Sequence, residues 1–229
     1  MSTAFLSPVA SAEAPARSPL ADAAAAAGGR LEVRDGWELA TSFGDAAAEA
    51  AACATSVGFA DCSSLTKLEL QAAPERLAEA AGGLELGTAR LADGAWLCPV
   101  APGLRLELHP AGGGAERRAA LEAGGVRVLD LTASLGAISV CGPGAAETIA
   151  RFCAIDTRPK SLPLCGFRPG SVARTPGHLL RDREDGFLLL FGAAYAEYLW
   201  QQVASAAAAL GGRPVGVDAL PAASEVPDA

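Results

Sequence analysis

The sequence predicts an α+β protein made of two tandem β-α-β-β-α-β (ferredoxin-like) modules, each an antiparallel sheet with its helices packed on one face. Three observations point there. Short runs such as Lys67 to Leu70, Val126 to Leu131 and Phe187 to Phe191 are strand-like. Alanine-bearing helical stretches interleave with them, opened by Asp45, Pro74 or Gly142-Pro143. The order strand, helix, hairpin, helix, strand then occurs twice, which lets each module bury an apolar sheet face under its own helices.

Taken in order, Leu31 to Val33 and the Asp35-Gly36 turn suggest a short strand, with Trp37 as a core anchor. Asp45 caps a helix over 46–57 that Gly58 closes. Lys67 to Leu70 is a strand, and Pro74 opens a helix that ends at Gly82-Gly83. Strands over Leu84 to Leu91 and Trp96 to Val100 flank the hairpin signal Asp93-Gly94, and Leu104 to Leu108 extends the ribbon. A helix over Ala115 to Ala123 and a strand over Val126 to Leu131 complete the first module.

The second module begins with a strand at Ala137 to Cys141 and a helix from Gly142-Pro143 to Ala154. Strands at Ser171 to Arg174, His178 to Leu180 and Phe187 to Phe191 follow, the last two joined by a polar loop ending in Asp185-Gly186. A helix over Ala193 to Leu210 carries Tyr195, Leu199, Val203, Ala206 and Leu210 at core-facing spacing. Val215 to Val217 supplies the closing strand. Four segments result: a flexible arm over 1–29, modules over 30–131 and 132–220, and a disordered acidic tail over 221–229.

Composition excludes several function classes. Of 229 residues, 26 are acidic and 18 basic, and no Lys/Arg stripe exists that could neutralise phosphates, so nucleic acid is not an expected partner. No apolar run is long enough for about 30 Å of hydrocarbon, so no membrane span is expected either. The N-terminal residues lack a basic n-region, which points to the cytoplasm, where Cys53, Cys62, Cys98, Cys141, Cys153 and Cys165 stay reduced. Their spacings fit no metal motif, and no metal site is expected.

Chemistry-bearing residues are few. His109 and His178 sit at strand ends, where a surface or turn role is expected, and no catalytic residue is assigned. Asp61/Ser63 and Asp130/Thr132 form a matched pair of Asp-x-hydroxyl segments; Asp130 and Thr132 are ligand candidates, although such residues also satisfy turn backbones. Arg181 is a third ligand candidate, able to fork onto a carboxylate, with a solvated hairpin charge as the alternative. Tyr198 and Trp200 fall on different helix faces, so at least one is a candidate interface anchor and the other can pack inward.

Glu49 through Lys67, and Asp130-Leu131-Thr132 through Gly142-Pro143-Gly144-Ala145, resemble segments of the folate-binding aminomethyltransferase family, to which the glycine-cleavage T-protein belongs. Phe152-Cys153-Ala154-Ile155-Asp156, Leu180-Arg181 before Phe187-Leu188-Leu189, and Tyr195 through Trp200 resemble the gamma subunits of heterotetrameric sarcosine oxidases. Gly212 through Leu220 agrees with the wider family. The resemblance implies an accessory subunit, without catalysis of its own, in a complex that oxidatively demethylates sarcosine or a related N-methyl amine. It implies that the one-carbon unit passes to tetrahydrofolate, with flavin and NAD on partner subunits. The family's Asn-rich Gly-Gly-Ile-Asp-Asp-like segment is absent, and no cofactor is assigned to this chain alone. The alternative is a compact tetrahydrofolate-dependent aminomethyltransferase or a folate-binding regulator.

Overall fold

In the computed structural model, which describes residues 14–221, the backbone runs through β1 (Ala16–Arg17), α1 (Ala21–Ala26), β2 (Arg30–Arg34), β3 (Trp37–Ser42), α2 (Ala46–Thr55) and β4 (Gly58–Asp61). Next come β5 (Thr66–Gln71), α3 (Pro74–Ala81), β6 (Arg90–Ala92), β7 (Ala95–Ala101), β8 (Leu104–His109), α4 (Ala115–Ala123) and β9 (Arg127–Asp130). The chain continues through β10 (Leu135–Cys141), α5 (Ala145–Ala150), β11 (Phe167–Val172), β12 (Thr175–Arg183), β13 (Gly186–Gly192), α6 (Ala196–Ala208) and β14 (Arg213–Pro214).

Local chemistry explains most boundaries. Asp45 accepts a hydrogen bond from the Ala48 amide at 2.9 Å and so caps α2. Asp35-Gly36 and Asp93-Gly94 all adopt positive φ, the conformation a two-residue hairpin turn needs. Expected strand over Leu84 to Leu91 is confined to Arg90–Ala92. Gly87 turns there with φ 94°, and its carbonyl accepts from the Arg168 guanidinium at 2.6 Å.

Three sheets form. A small one has order β1-β3-β2, a five-stranded one β6-β7-β8-β5-β9, and a six-stranded one β11-β12-β13-β10-β4-β14. The β5-α3-β7-β8-α4-β9 path is a β-α-β-β-α-β unit whose strands pair antiparallel throughout. In the second unit β14 pairs parallel with β4, which lies between it and β10. Strand Gly58–Asp61, expected within the first module's span, therefore completes the second sheet.

The large sheets lie face to face between two layers of helices. Leu68 and Leu70 pack under Leu77 and Ala81 of α3 and Leu121 of α4. On the far side, Phe59, Ile138, Val140, Leu189 and Phe191 pack under α5 and α6. Between the sheets, Trp96, Cys98, Leu106 and Leu108 meet Ala137, Leu180, Leu188 and Leu190.

Two expectations are corrected. A flexible arm is expected over 1–29, yet Leu20 and Ala24 are fully buried in the six-stranded sheet's core and Ala21 is fully buried beside them in α1, so β1 and α1 are integral to the fold. The remainder of that arm, 1–13, and the tail over 222–229 lie outside the described residues. The last helix was drawn from Ala193 with Tyr195 facing inward. Residues Ala193–Tyr195 form a 3-10 turn instead, which shifts the helical phase and leaves Tyr195 exposed, while Leu199, Val203 and Ala206 are buried.

Candidate functional site

Where the two large sheets separate, a pocket of about 370 Å³ opens between them. Leu65, Leu91, Trp96, Leu108 and Leu188 give it apolar walls, and Ser139, Asp182, Arg183 and His109 add polar groups. Side chains of β10 alternate across the sheet, so Ser139 points toward the first module while Ile138 and Val140 face the helices. A register shift between Leu180 and Arg183 distorts the end of β12 beside the pocket.

Unpaired polar atoms distinguish this pocket. Among the described residues, the buried side-chain nitrogens and oxygens without a partner are Arg105 Nε, Ser139 Oγ, His178 Nδ1, Asp182 Oδ1 and Arg183 Nε. Three of those residues line the one pocket. Buried groups normally find partners because desolvation without a hydrogen bond is costly. Asp182 uses its other oxygen to accept from Arg183 at 2.8 Å. Burial raises the Asp182 pKa, and Arg183 opposes the rise. A hydroxyl, a carboxylate oxygen and a guanidinium N–H beside a tryptophan suit a flat heterocycle with donors and acceptors on one edge.

A second cavity, of about 260 Å³, sits under the Asp35-Gly36 turn and is lined by Trp37, Thr66, Leu68, Arg118, Asp130 and Thr132. Asp130 and Thr132 meet here as neighbours. Both are engaged with backbone: Asp130 accepts from the Thr132 amide at 2.9 Å, and Thr132 Oγ1 accepts from the Lys67 amide at 3.0 Å. Asp61 and Ser63 repeat this geometry, Asp61 accepting from the Ser63 amide at 2.9 Å and Ser63 Oγ from the Ala137 amide at 3.0 Å. Asp61 also accepts from the Ser18 hydroxyl. Both segments thus hold the exit of one strand against the start of its sheet neighbour, β4 against β10 and β9 against β5.

Lys67, read from the sequence only as the start of a strand, lies fully buried between the two turns. Its Nζ donates to the carbonyls of Ser63 and Leu65 at 2.8 Å each. Burial lowers its pKa to about 8 against the pull of Asp61, whose own pKa burial raises. The ammonium thus serves as an internal clamp for the β4–β5 connection.

Other sequence candidates go elsewhere. Arg181 is buried; its guanidinium donates to the carbonyls of Leu162 at 3.1 Å and Glu184 at 2.5 Å, which removes it as a carboxylate fork for a ligand. Trp200 is corrected from interface anchor to core residue: it is 5% exposed and packs edge-on against Phe59. Tyr198 is 40% exposed, and its hydroxyl donates to the Ala173 carbonyl at 3.2 Å. His178 stacks on Phe167 and is largely enclosed, which lowers its pKa. His109 is buried with Nε2 3.3 Å from Glu107, rather than at the surface. The sequence signal for Asp182 and Arg183 was an Arg-Asp-Arg run directly before a hairpin turn, which reads as loop unless the bulge is known.

The described residues contain no group of three His, Cys, Asp or Glu placed to hold a metal ion, and no helix among them is long and apolar enough to cross a membrane.

Comparison with known proteins agrees with this architecture. Residues 110–223 match the family described as GCVT N-terminal domain. The fold is similar to a chain of the heterotetrameric sarcosine oxidase from Corynebacterium sp. U-96, solved with pyrrole 2-carboxylate: TM-score 0.63, 22% identity, 75% of this chain and 95% of that one. It is also similar to the glycine cleavage system aminomethyltransferase T from Bartonella henselae: TM-score 0.71, 20% identity, 89% of this chain but only 60% of that one. No curated protein matches by sequence. Residues 110–223 thus match the GCVT N-terminal domain description, and the chain shares its fold with both solved structures.

Proposed function

We propose that this chain is an accessory, gamma-type subunit of a heterotetrameric sarcosine-oxidase-like complex that demethylates sarcosine or a related N-methyl amine. In this reading flavin and NAD reside on partner subunits, tetrahydrofolate receives the one-carbon unit, and this chain contributes structure and interface in the cytoplasm. The observation that carries it is one of extent. The fold accounts for 95% of one chain of a heterotetrameric assembly, whereas it spans 60% of the aminomethyltransferase. Tyr195 and Tyr198, 45% and 40% exposed at the start of α6, are the aromatic groups offered to a partner. Co-expression with flavoprotein chains encoded beside it tests the reading. Co-elution, weakened by Tyr195→Ala with Tyr198→Ala, is expected; a chain that elutes alone in every combination overturns it.

A second reading, a folate-binding protein, draws on the three unpaired polar atoms of the inter-sheet pocket. Ser139, Asp182 and Arg183 would hold the hydrogen-bonding edge of the pterin ring, with Trp96 along its face. Calorimetric titration with tetrahydrofolate separates the two cavities: Asp182→Asn abolishes binding between the sheets, whereas Asp130→Asn abolishes it under the Asp35-Gly36 turn. Absence of binding at millimolar folate leaves the accessory-subunit reading alone.

A further inference from the structure

Cys53 and Cys141 are far apart in sequence and meet at Gly58. In the β10–β4 register Cys141 stands directly opposite Gly58, and directly opposed residues project from the same face of a sheet. Glycine leaves that place vacant. The Cys53 sulfur, reaching down from α2, occupies the space that a β-carbon on residue 58 would take. The Cys141 sulfur lies 3.5 Å from the Gly58 carbonyl oxygen. The two thiols are therefore arranged like cross-strand neighbours, although one belongs to a helix.

We propose that Cys53 and Cys141 are an oxidisable thiol pair, a modification site that hydrogen peroxide closes to a disulfide joining α2 to β10. The Cys53 sulfur attacks one peroxide oxygen, breaking the O–O bond and giving a sulfenic acid; its thiol proton leaves with the departing oxygen as water. The Cys141 sulfur then displaces the sulfenic oxygen, which leaves with the second thiol proton as another water. Two thiols lose two electrons in all, and one peroxide is reduced to two waters.

Accessibility sets the order of the steps. Cys53 is half-buried and Cys141 is buried, so peroxide reaches Cys53 first. Hydrogen bonding between the thiols holds the Cys53 pKa below the usual thiol value and pushes that of Cys141 up, with the Arg183 guanidinium favouring the thiolate at both. The other four cysteines differ, since burial raises each: Cys62 to about 12, and Cys98, Cys153 and Cys165 upward as well. The loop closed by the bond contains the whole five-stranded sheet.

The test treats the purified full-length chain with a small molar excess of hydrogen peroxide, alkylates remaining thiols and maps the peptides by mass spectrometry. A Cys53–Cys141 linked peptide is expected as the dominant product and should disappear with dithiothreitol. Cys141→Ser should instead leave Cys53 as a sulfenic acid that dimedone labels, and Cys53→Ser should leave Cys141 unmodified. Protein unfolded in guanidinium should give mixed pairings, which shows that the fold selects the pair. Linkage of any other two cysteines in the native chain, or over-oxidation of Cys53 without linkage, overturns the proposal.

Discussion

The two large sheets, one of five strands and one of six, differ in what covers their helix faces. Under α5 and α6 lies a broad apolar core with Phe59, Phe187, Phe191 and Trp200. Under α3 and α4 the apolar cluster is confined to Leu, Val and Ala, and its neighbours on β8 are charged. Arg105 donates to the last carbonyls of α3 at Ala81 and Gly82, and Glu107 pairs with Arg117 of α4 at 3.1 Å. One sheet thus holds its helices mainly by burial, while the other adds directed polar contacts to a thinner core.

Substitutions can break or sharpen that contrast. Phe191→Ala, at a fully buried site, should cost about 3–5 kcal/mol in urea unfolding, the largest effect. Leu70→Ala, equally buried in the smaller cluster, should cost about 2–3 kcal/mol. A larger loss for Leu70 than for Phe191 would overturn the ranking of the two cores. Glu107→Ala should cost about 2 kcal/mol, less than a wholly buried pair because Arg117 is a third exposed.

The Glu107 contact is also pH-dependent. Burial alone would raise its pKa, but His109 and Arg117 hold it below the ordinary 4.5. Because the folded value is the lower one, this stabilisation is complete above 4.5 and is lost as pH falls through the folded pKa. A Glu107→Gln chain should show a correspondingly shallower acid limb in stability measured against pH.

Lys67 shifts in the same direction, so its slope has the same sign, but as a buried cation it is a penalty relieved at high pH rather than a stabilisation lost at low pH. Its folded pKa of about 8 lies below the ordinary 10.5, so the unfolded chain binds more protons between those values and stability should rise across that interval. The chain has two lysines, Lys67 and Lys160, and ¹³C detection of their ε-carbons should show one titrating near 8. A Lys67 midpoint near 10.5 would mean that the ammonium is hydrated. The smallest effect belongs to Tyr198→Ala, about 0.5 kcal/mol on stability by denaturant titration, as expected of a partly exposed side chain.

Turn chemistry made much of the fold legible. Asp35-Gly36, Asp93-Gly94, Asp45 and Pro74 mark boundaries that the structure keeps within a residue or two, because each residue type satisfies a local backbone need. Long-range pairing was not legible. Nothing in Gly58-Phe59-Ala60-Asp61 reveals that its partners are Ile138 to Cys141 on one side and Arg213-Pro214 on the other. The Ser18–Asp61 hydrogen bond that helps fix the N-terminal segment is equally non-local.

The site divides the same way. Asp130 and Thr132 announced themselves by type and spacing, and they meet in one cavity. Ser139, Asp182 and Arg183 come from separate elements and converge only after the sheets pack. Trp200 was ambiguous because helical phase depends on where the helix begins, and a 3-10 turn before Ala196 set that phase.

The place of β4 between β10 and β14 has a consequence for the order of assembly. Gly58 and Phe59 must wait for residues made much later, since they acquire their second set of partners only when Arg213 and Pro214 emerge. Such distant contacts slow folding because the intervening chain must lose its freedom before they form. During synthesis that strand would stand with an unpaired edge, the state in which a molecular chaperone has most to protect.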